Sequence, residues 1–306
     1  MHRKVLPNWF FGFCATLLLL FNTVVSGSIV FFLGLVKLFL PIRAISILLH
    51  LAYDMWCKGN RLGLYVGCEQ VNINVSETVK QQGWYLLVSN HISWLDIVVL
   101  SAAEALPAPK FFLKDELKYI PFIGTGAWAM GMPFMKRASK SQVAKNPKLK
   151  GLDVERTQHS CRNFRQHPTT VINFAEGTRF TQTKQKQQGG GYNHLLKPKA
   201  GGTAFALEVL AQQLDGLLNC TLMYQAKSQH ICGSFMLGQL QSVNVEVELL
   251  AIAQVPQGSY QGDNSYRTHF QNYLNQLWQN KDEQITQYMV ERSDMSSHTN
   301  KKVASL

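Results

Sequence analysis

From Val5 to Val36 the chain carries no charged residue, and this restricts what it can fold into more than any other feature. About 20 consecutive apolar residues cross a bilayer core as a helix. The stretch is therefore long enough for one tilted helix and short for two full spans. Asn22 and Ser26-Gly27-Ser28 interrupt it, which leaves open a shallow helical hairpin held in one leaflet. Val24-Val25-Ser26 resembles a signal-peptide cleavage site, but the apolar run continues to Leu40, which favours a retained anchor. Residues 42–57 continue as an amphipathic, interfacial pattern, with Arg43, Lys58 and Arg61 suited to anionic headgroups. Basic residues flank both sides of the apolar segment, so counting them does not orient it. Three regions follow: an anchor with its interfacial helix over 1–61, a folded domain over 62–290, and a polar tail over 291–306 that is expected to be disordered.

Within the domain, short apolar runs alternate with helical patterns. Strands are expected over 64–75, 84–88, 110–113, 131–136, 170–174, 217–224 and 243–252. Helices are expected from His91 to about Ala105, where Pro107 and Pro109 end it, and over 117–130, 153–166, 201–214 and 266–279. The segment 181–194 holds Gly189-Gly190-Gly191 and four glutamines, and reads as a mobile loop. The alternation predicts an α/β domain with a mixed sheet flanked by helices, preceded by the apolar membrane-anchoring helix or hairpin.

The most informative stretch is Trp84-Tyr85-Leu86-Leu87-Val88-Ser89-Asn90-His91-Ile92-Ser93-Trp94-Leu95-Asp96. It reads as a buried strand, a turn and a helix opening near Ser93, with Asp96 at the capping-box spacing. Positions five apart on one helix point about 140° away from each other. If His91 lies in the turn before the helix, its imidazole can fold back over the first turn to Asp96. A carboxylate there fixes the tautomer and stabilises the imidazolium, as a general base needs. The plainer alternative is that Asp96 only caps a helix and His91 is a polar turn residue. Ser93 is a tempting nucleophile and a better cap. A second stretch, Phe174-Ala175-Glu176-Gly177-Thr178-Arg179, also puts charge where an apolar run ends.

The net charge of +11 is concentrated. Residues 136–199 hold 14 basic side chains against Asp153, Glu155 and Glu176, so 14 − 3 = +11 and the remainder is balanced. Such a block wants an anionic partner. No recognition motif for nucleic acid accompanies it, and a phospholipid surface, a phosphomonoester or the phosphates of coenzyme A fit better. The six cysteines form no Cys-x-x-Cys pair and read as reduced thiols. The histidines show no metal-ligand spacing, so no metal is expected.

Asn90-His91-Ile92-Ser93-Trp94-Leu95-Asp96 and Glu176-Gly177-Thr178-Arg179 resemble, without a gap, the Asn-His-x-Ser-x-x-Asp and Glu-Gly-Thr-Arg blocks of the glycerolipid acyltransferases. Those membrane enzymes acylate lysophosphatidic acid and related lysophospholipids. Gly131-Met132-Pro133-Phe134-Met135-Lys136-Arg137 looks like the second block of that family, and Leu195-Leu196-Lys197-Pro198-Lys199-Ala200-Gly201 like its fourth. The blocks cover roughly 84–225, and the run from Phe180 to Pro198 is similar to the YihG-type bacterial branch. Where the family has a Val-Pro-type strand, this chain has Leu217-Leu218-Asn219-Cys220-Thr221-Leu222-Met223-Tyr224.

The resemblance implies acyl transfer from acyl-CoA or acyl carrier protein to 1-acylglycerol-3-phosphate, giving phosphatidic acid. It implies no cofactor beyond that co-substrate, with anionic membrane lipids and the carrier protein as partners. His91 would be the base and Asp96 its orienting partner; Arg137 and Arg179 would bind the acceptor phosphate bidentately. Gly177, beside Thr178, would let the backbone approach that phosphate. Glu176 would bind the acceptor or organise the arginines, or else is a turn carboxylate among basic groups. Lys197 and Lys199 are candidates for coenzyme A or headgroup contacts, or form a solvated basic face. The resemblance also implies an inner-membrane location with the domain facing the cytoplasm. Two other readings remain: a different lysophospholipid acceptor of the phosphatidylglycerol or phosphatidylinositol type, and a non-catalytic protein that binds anionic lipid.

Overall fold

The computed structural model describes residues 6–120, 123–132, 134–135, 167–228, 230–260 and 262–303. Arg137, most of the basic block before 167 and the helix expected over 153–166 lie outside the described residues. Helix α1 (Asn8–Phe39) runs unbroken through Asn22 and Ser26-Gly27-Ser28, so the hairpin reading of this stretch is wrong. The chain turns back only at 40–42, and α2 (Arg43–Gly67) then packs along α1. Asn22 does not break α1 because α2 satisfies it sideways: its Nδ2 donates to Trp56 O at 2.9 Å and to Asn60 Oδ1 at 3.1 Å. Ser26 Oγ in turn donates to Asn22 Oδ1 at 3.4 Å. In apolar surroundings such polar groups hold helices together. Gly59 makes the approach possible, since a Cβ there would lie 2.2 Å from Asn22 Oδ1. By length and composition α1 can cross a membrane.

The strand expected over 64–75 begins later. Leu49, Ala52, Tyr53, Asn60, Gly63, Leu64 and Gly67 form one buried face at helical spacing, which carries α2 to Gly67. Strand β1 (Gln70–Val75) follows, then β2 (Trp84–Ser89) and the short helix α3 (Leu95–Ser101). Next come β3 (Pro109–Phe111), β4 (Leu113–Lys114), a 3-10 turn (Asp115–Tyr119), α4 (Ile123–Ala129) and β5 (Phe134–Met135). After the undescribed stretch the chain forms β6 (Thr169–Phe174), α5 (Gln182–Gln187) and α6 (Ala200–Leu210). It ends in β7 (Gly216–Ala226), α7 (Ile231–Met236), β8 (Leu240–Ala251) and α8 (Asn264–Val303).

Six of the strands make one sheet in the order β1-β8-β7-β2-β6-β3, while β4 and β5 pair separately. The strands β7, β2, β6 and β3 are mutually parallel, and β8 with β1 runs the other way at one edge. This is the mixed sheet expected. Strand β2 lies at its centre and is buried on both faces, which explains its unbroken apolar run. On one face Tyr85 and Leu87 join Val99 and Leu100 of α3, Leu64 of α2 and Phe235 of α7. On the other Leu86 and Val88 join Leu207 of α6 and Phe270, Leu274 and Trp278 of α8.

Further local expectations differ from the structure, among them the helix over 117–130, which is a 3-10 turn (Asp115–Tyr119) followed by α4 (Ile123–Ala129). The helix after His91 stops at Ser101, whose Oγ donates to Val98 O at 2.8 Å and accepts from Asn60 Nδ2 at 2.9 Å. The segment 181–194 is not a structureless loop but contains α5, capped by Thr181 Oγ1, which accepts from Lys184 N at 3.3 Å. The last helix does not end near 279. Lys281, Asp282 and Ile285 continue its buried face, and the helical backbone runs on to Val303 through the region expected to be disordered.

Candidate active site

The parallel register pairs Ser89 of β2 with Phe174 of β6. The two charged stretches therefore leave the sheet side by side at its carboxyl end, where open α/β sheets carry their chemistry. Backbone bonds extend the pairing into the turns. Ala175 N donates to Ser89 O at 3.2 Å, Phe180 N to His91 O at 2.7 Å, and Lys199 N to Ala175 O at 2.8 Å. Asn90, fully buried, acts as an extra rung of the sheet. Its Nδ2 donates to Leu222 O at 3.0 Å and its Oδ1 accepts from Leu222 N at 2.8 Å.

That lock places His91 in the turn, as the sequence requires for it to meet Asp96. His91 Nδ1 lies 2.8 Å from Asp96 Oδ2, and the ring stacks on Phe174 with centroids 4.1 Å apart and planes 16° apart. The same Oδ2 accepts from Ile92 N at 2.7 Å and Ser93 N at 3.0 Å, while Ser93 Oγ accepts from Leu95 N at 3.3 Å. The helix cap and the His–Asp pair are thus one arrangement and not alternatives. Asp96 has no exposed surface, so its charge depends on these donors in place of water. With Nδ1–H committed to the carboxylate, Nε2 is the nitrogen left to accept a proton.

Four of the other expected site residues surround the neighbouring turn. Gly177 has φ +69°, a left-handed conformation that side chains disfavour. Arg179 is exposed and lies over the Trp94 ring, 4.8 Å from its centroid. Thr178 Oγ1 accepts from Lys184 Nζ at 2.7 Å. A Cβ built on Gly177 would sit 3.4 Å from Lys199 Nζ, so Lys199 lies against the turn. Lys197 is exposed nearby. Arg179, Lys184 and Lys199 make a cationic collar beside His91.

Glu176 points the opposite way. It is fully buried, and neither carboxyl oxygen has a hydrogen bond of normal geometry. The His91 amide, the Trp278 indole and the Leu196 amide face it without closing such bonds, and burial pushes its carboxyl well above the usual carboxylate range. Among the described residues it pairs with no arginine.

Sequence reasoning missed the Asn90 lock, the Phe174 stack, the Trp94 shelf and Lys184, and it missed Tyr224, whose hydroxyl donates to Asp96 Oδ1 at 2.7 Å. Only Asn90 carried a local signal, as a polar residue at the end of a buried strand. Among the described residues no cluster of His, Cys, Asp and Glu could hold a metal ion.

A family model described as Acyltransferase matches residues 70–220, which takes in both motifs. The chain is 25% identical over 160 residues to a 1-acyl-sn-glycerol-3-phosphate acyltransferase epsilon of Mus musculus, covering 47% of this chain and 41% of that one. It is 24% identical over 220 residues to 1-acyl-sn-glycerol-3-phosphate acyltransferase 3 of Arabidopsis thaliana, covering 67% and 54%. An uncharacterized acyltransferase of Saccharomyces cerevisiae is 24% identical over 237 residues, covering 66% and 58%. The chain spans about half the length of the curated relatives it matches. The crystal structure of the 1-acyl-sn-glycerophosphate (LPA) acyltransferase PlsC from Thermotoga maritima aligns over 88% of this chain and 95% of its own. The identity is 16% and the TM-score 0.48, too loose a likeness to carry weight.

Proposed function

Since the chain belongs to the glycerolipid acyltransferase family, we propose that it transfers a fatty acyl chain from an acyl thioester to the free hydroxyl of a lysophospholipid at the membrane. The names of its relatives favour 1-acylglycerol-3-phosphate as the acceptor and phosphatidic acid as the product. One observation carries the reading: an imidazole held at Nδ1 by a buried carboxylate, with Nε2 left over beside a cationic turn.

A lysophospholipid hydroxyl is a poor nucleophile at neutral pH, and a thioester carbonyl is a good electrophile. His91 Nε2 takes the hydroxyl proton as the oxygen attacks the carbonyl carbon. Asp96 stabilises the imidazolium. The C–S bond then breaks, and the departing thiolate takes the proton from His91. No acyl-enzyme is required, so Ser93 remains a helix cap. Arg179 binds the acceptor phosphate with help from Lys199, and Arg137 is assigned the same task on its motif. Gly177 and Thr178 shape the turn against that phosphate. The donor is acyl-CoA or acyl carrier protein, and we assign the protein to the cytoplasmic face of the inner membrane.

The test is purified protein offered a panel of lysophospholipids with a radiolabelled acyl donor. General-base assistance is worth about 10²–10⁴-fold, so His91→Ala should lose transfer by that order while still binding lysophospholipid. Asp96→Asn should lose much of it too, because an amide favours the wrong tautomer. Wild-type activity should fall on the acid side as the imidazole protonates. Near-normal transfer by His91→Ala would put the non-catalytic lipid-binding reading ahead.

A further inference from the structure

The stretch that departs from the Val-Pro pattern ends on Tyr224, and the sheet brings that residue to the back of the His–Asp pair. Tyr224 lies on β7 two residues beyond Leu222, the residue Asn90 grips with both ends of its amide. Cys220, Leu222 and Tyr224 therefore share the face that packs against α3. The phenol is 6% exposed and Asp96 is 0% exposed. The hydroxyl donates to Asp96 Oδ1 at 2.7 Å, while Oδ2 takes His91, Ile92 and Ser93.

We infer that Tyr224 is a positioning residue for acyl transfer: by holding Oδ1 it fixes the plane of the Asp96 carboxylate and sets how tightly Oδ2 grips the imidazolium of His91. This rests on the reading of His91 as the base. A donor on Oδ1 draws off part of the charge that Oδ2 would otherwise present to the ring. Without it, Asp96 holds the protonated ring more strongly, and the base stays protonated to higher pH. Burial and the Asp96 charge push the Tyr224 phenol well above its ordinary range, so it stays a donor throughout an assay.

Among the described residues the other titratable or charged groups around this pair are Glu176 from the end of β6, Cys220 from β7 and Cys68 from the turn before β1, with Arg179, Lys184 and Lys199 of the collar on the open side of His91. Burial raises Glu176 well above its usual range and Cys220 to about 11, and Cys68 is buried. None of these is altered by the substitutions below.

The experiment is the pH profile of kcat/KM for detergent-solubilised wild type, Tyr224→Phe, and a chain with difluorotyrosine placed at 224 alone. Tyr224→Phe should move the acid limb to higher pH by up to about one unit. That lowers kcat/KM up to roughly tenfold below the limb and leaves it near wild type above. Difluorotyrosine keeps the shape and donates more strongly, so it should move the limb to lower pH even if the Phe variant folds poorly. A fall equal at every pH, superimposed profiles, or a fluorinated limb that stays put or moves upward would overturn the inference. Failure of the underlying reading looks different, because His91→Ala would then retain transfer.

Discussion

Glu176 is the residue whose position departs furthest from its motif. An acidic group beside three cationic side chains would ordinarily face them, yet it is turned into the core against Trp278. Its carboxyl is raised above the unfolded value by burial. Below the unfolded value both states hold the proton and pH has no effect. Above it the unfolded chain releases its proton while the folded one keeps it, so stability falls as pH rises toward the folded value. Glu176→Gln removes that slope, so its melting temperature relative to wild type should climb as pH rises above the ordinary glutamate value of about 4.3. A constant difference across that range would mean the group is ionised in the fold. The collar gives a second test. Arg179→Ala should raise the acceptor KM and lower turnover, whereas Lys148→Ala should change little. If the two behaved alike, the basic block would be a general membrane-attracting surface. His91 and Asp96 were legible because they lie within one turn and the first coil of a helix. Tyr224 was not, since its bond to Asp96 spans 128 residues and exists only once β7 lies beside β2.

At the level of elements, α8 clasps the loop that carries the collar. Asp282, 4% exposed, accepts from Asn193 N and His194 N at 2.7 Å each. Gln271 donates to Pro198 O at 3.0 Å, and Tyr192 Oη donates to Asn275 O at 3.2 Å. The residue before Asp282, buried Lys281, donates to Cys220 O on β7, which fixes the helix to the sheet. The clasp sets where Lys197 and Lys199 stand. Hydrogen bonds to a charged group contribute about 1.5–3 kcal/mol each. Asp282→Ala should therefore lower unfolding stability by roughly 3 kcal/mol and open the Gly189-Gly190-Gly191 segment to proteolysis. The His91 chemistry should persist with a raised KM. Unchanged protease sensitivity would deny α8 this role. Composition concealed the arrangement: glycine and glutamine between 181 and 194 signal a loop, but Gln185 Nε2 folds inward onto Tyr192 O and Asn193 O at 2.7 and 2.8 Å. The strands were easier to read because each apolar run is bounded by turn residues. Their order was not, since the insertion of β8 between β1 and β7 follows from packing over the whole domain.

Across the whole molecule, the apolar helix is built into the domain and is not a flexible leader. A Cβ on Gly12 of α1 would meet Gly238 N at 2.3 Å, and Lys37 Nζ donates to Ala129 O at 3.0 Å. Helix α1 therefore touches α7 near its start and α4 near its end, and α2 reaches α3 through Asn60 and Ser101. The helix that begins at Asp96's turn thus rests on α2, the packing partner of the helix that would meet the lipid. The uncharged run identified an anchor in the sequence but not its geometry, because the contacts of Asn22 and Gly12 lie on partners 34 or more residues away. The outward face keeps Phe21 71%, Phe32 62% and Phe39 88% exposed. Of the basic residues that would draw α2 to anionic headgroups, Lys58 is paired with Asp54 at 2.7 Å and Arg61 with Glu104. Charge attraction through α2 would be weakened accordingly, so the apolar face would be the main hold on a bilayer. Salt at 1 M shortens the screening length to about 3 Å and strips proteins held by lysine and arginine. It leaves apolar burial intact. Membranes carrying this protein should therefore retain it through high salt and through alkaline carbonate. Replacing Phe21 and Phe32 by Asp should release it under carbonate while the released protein still binds lysophospholipid. Release of the unaltered protein by salt alone would show that the basic side chains hold it to the membrane, and that α1 does not.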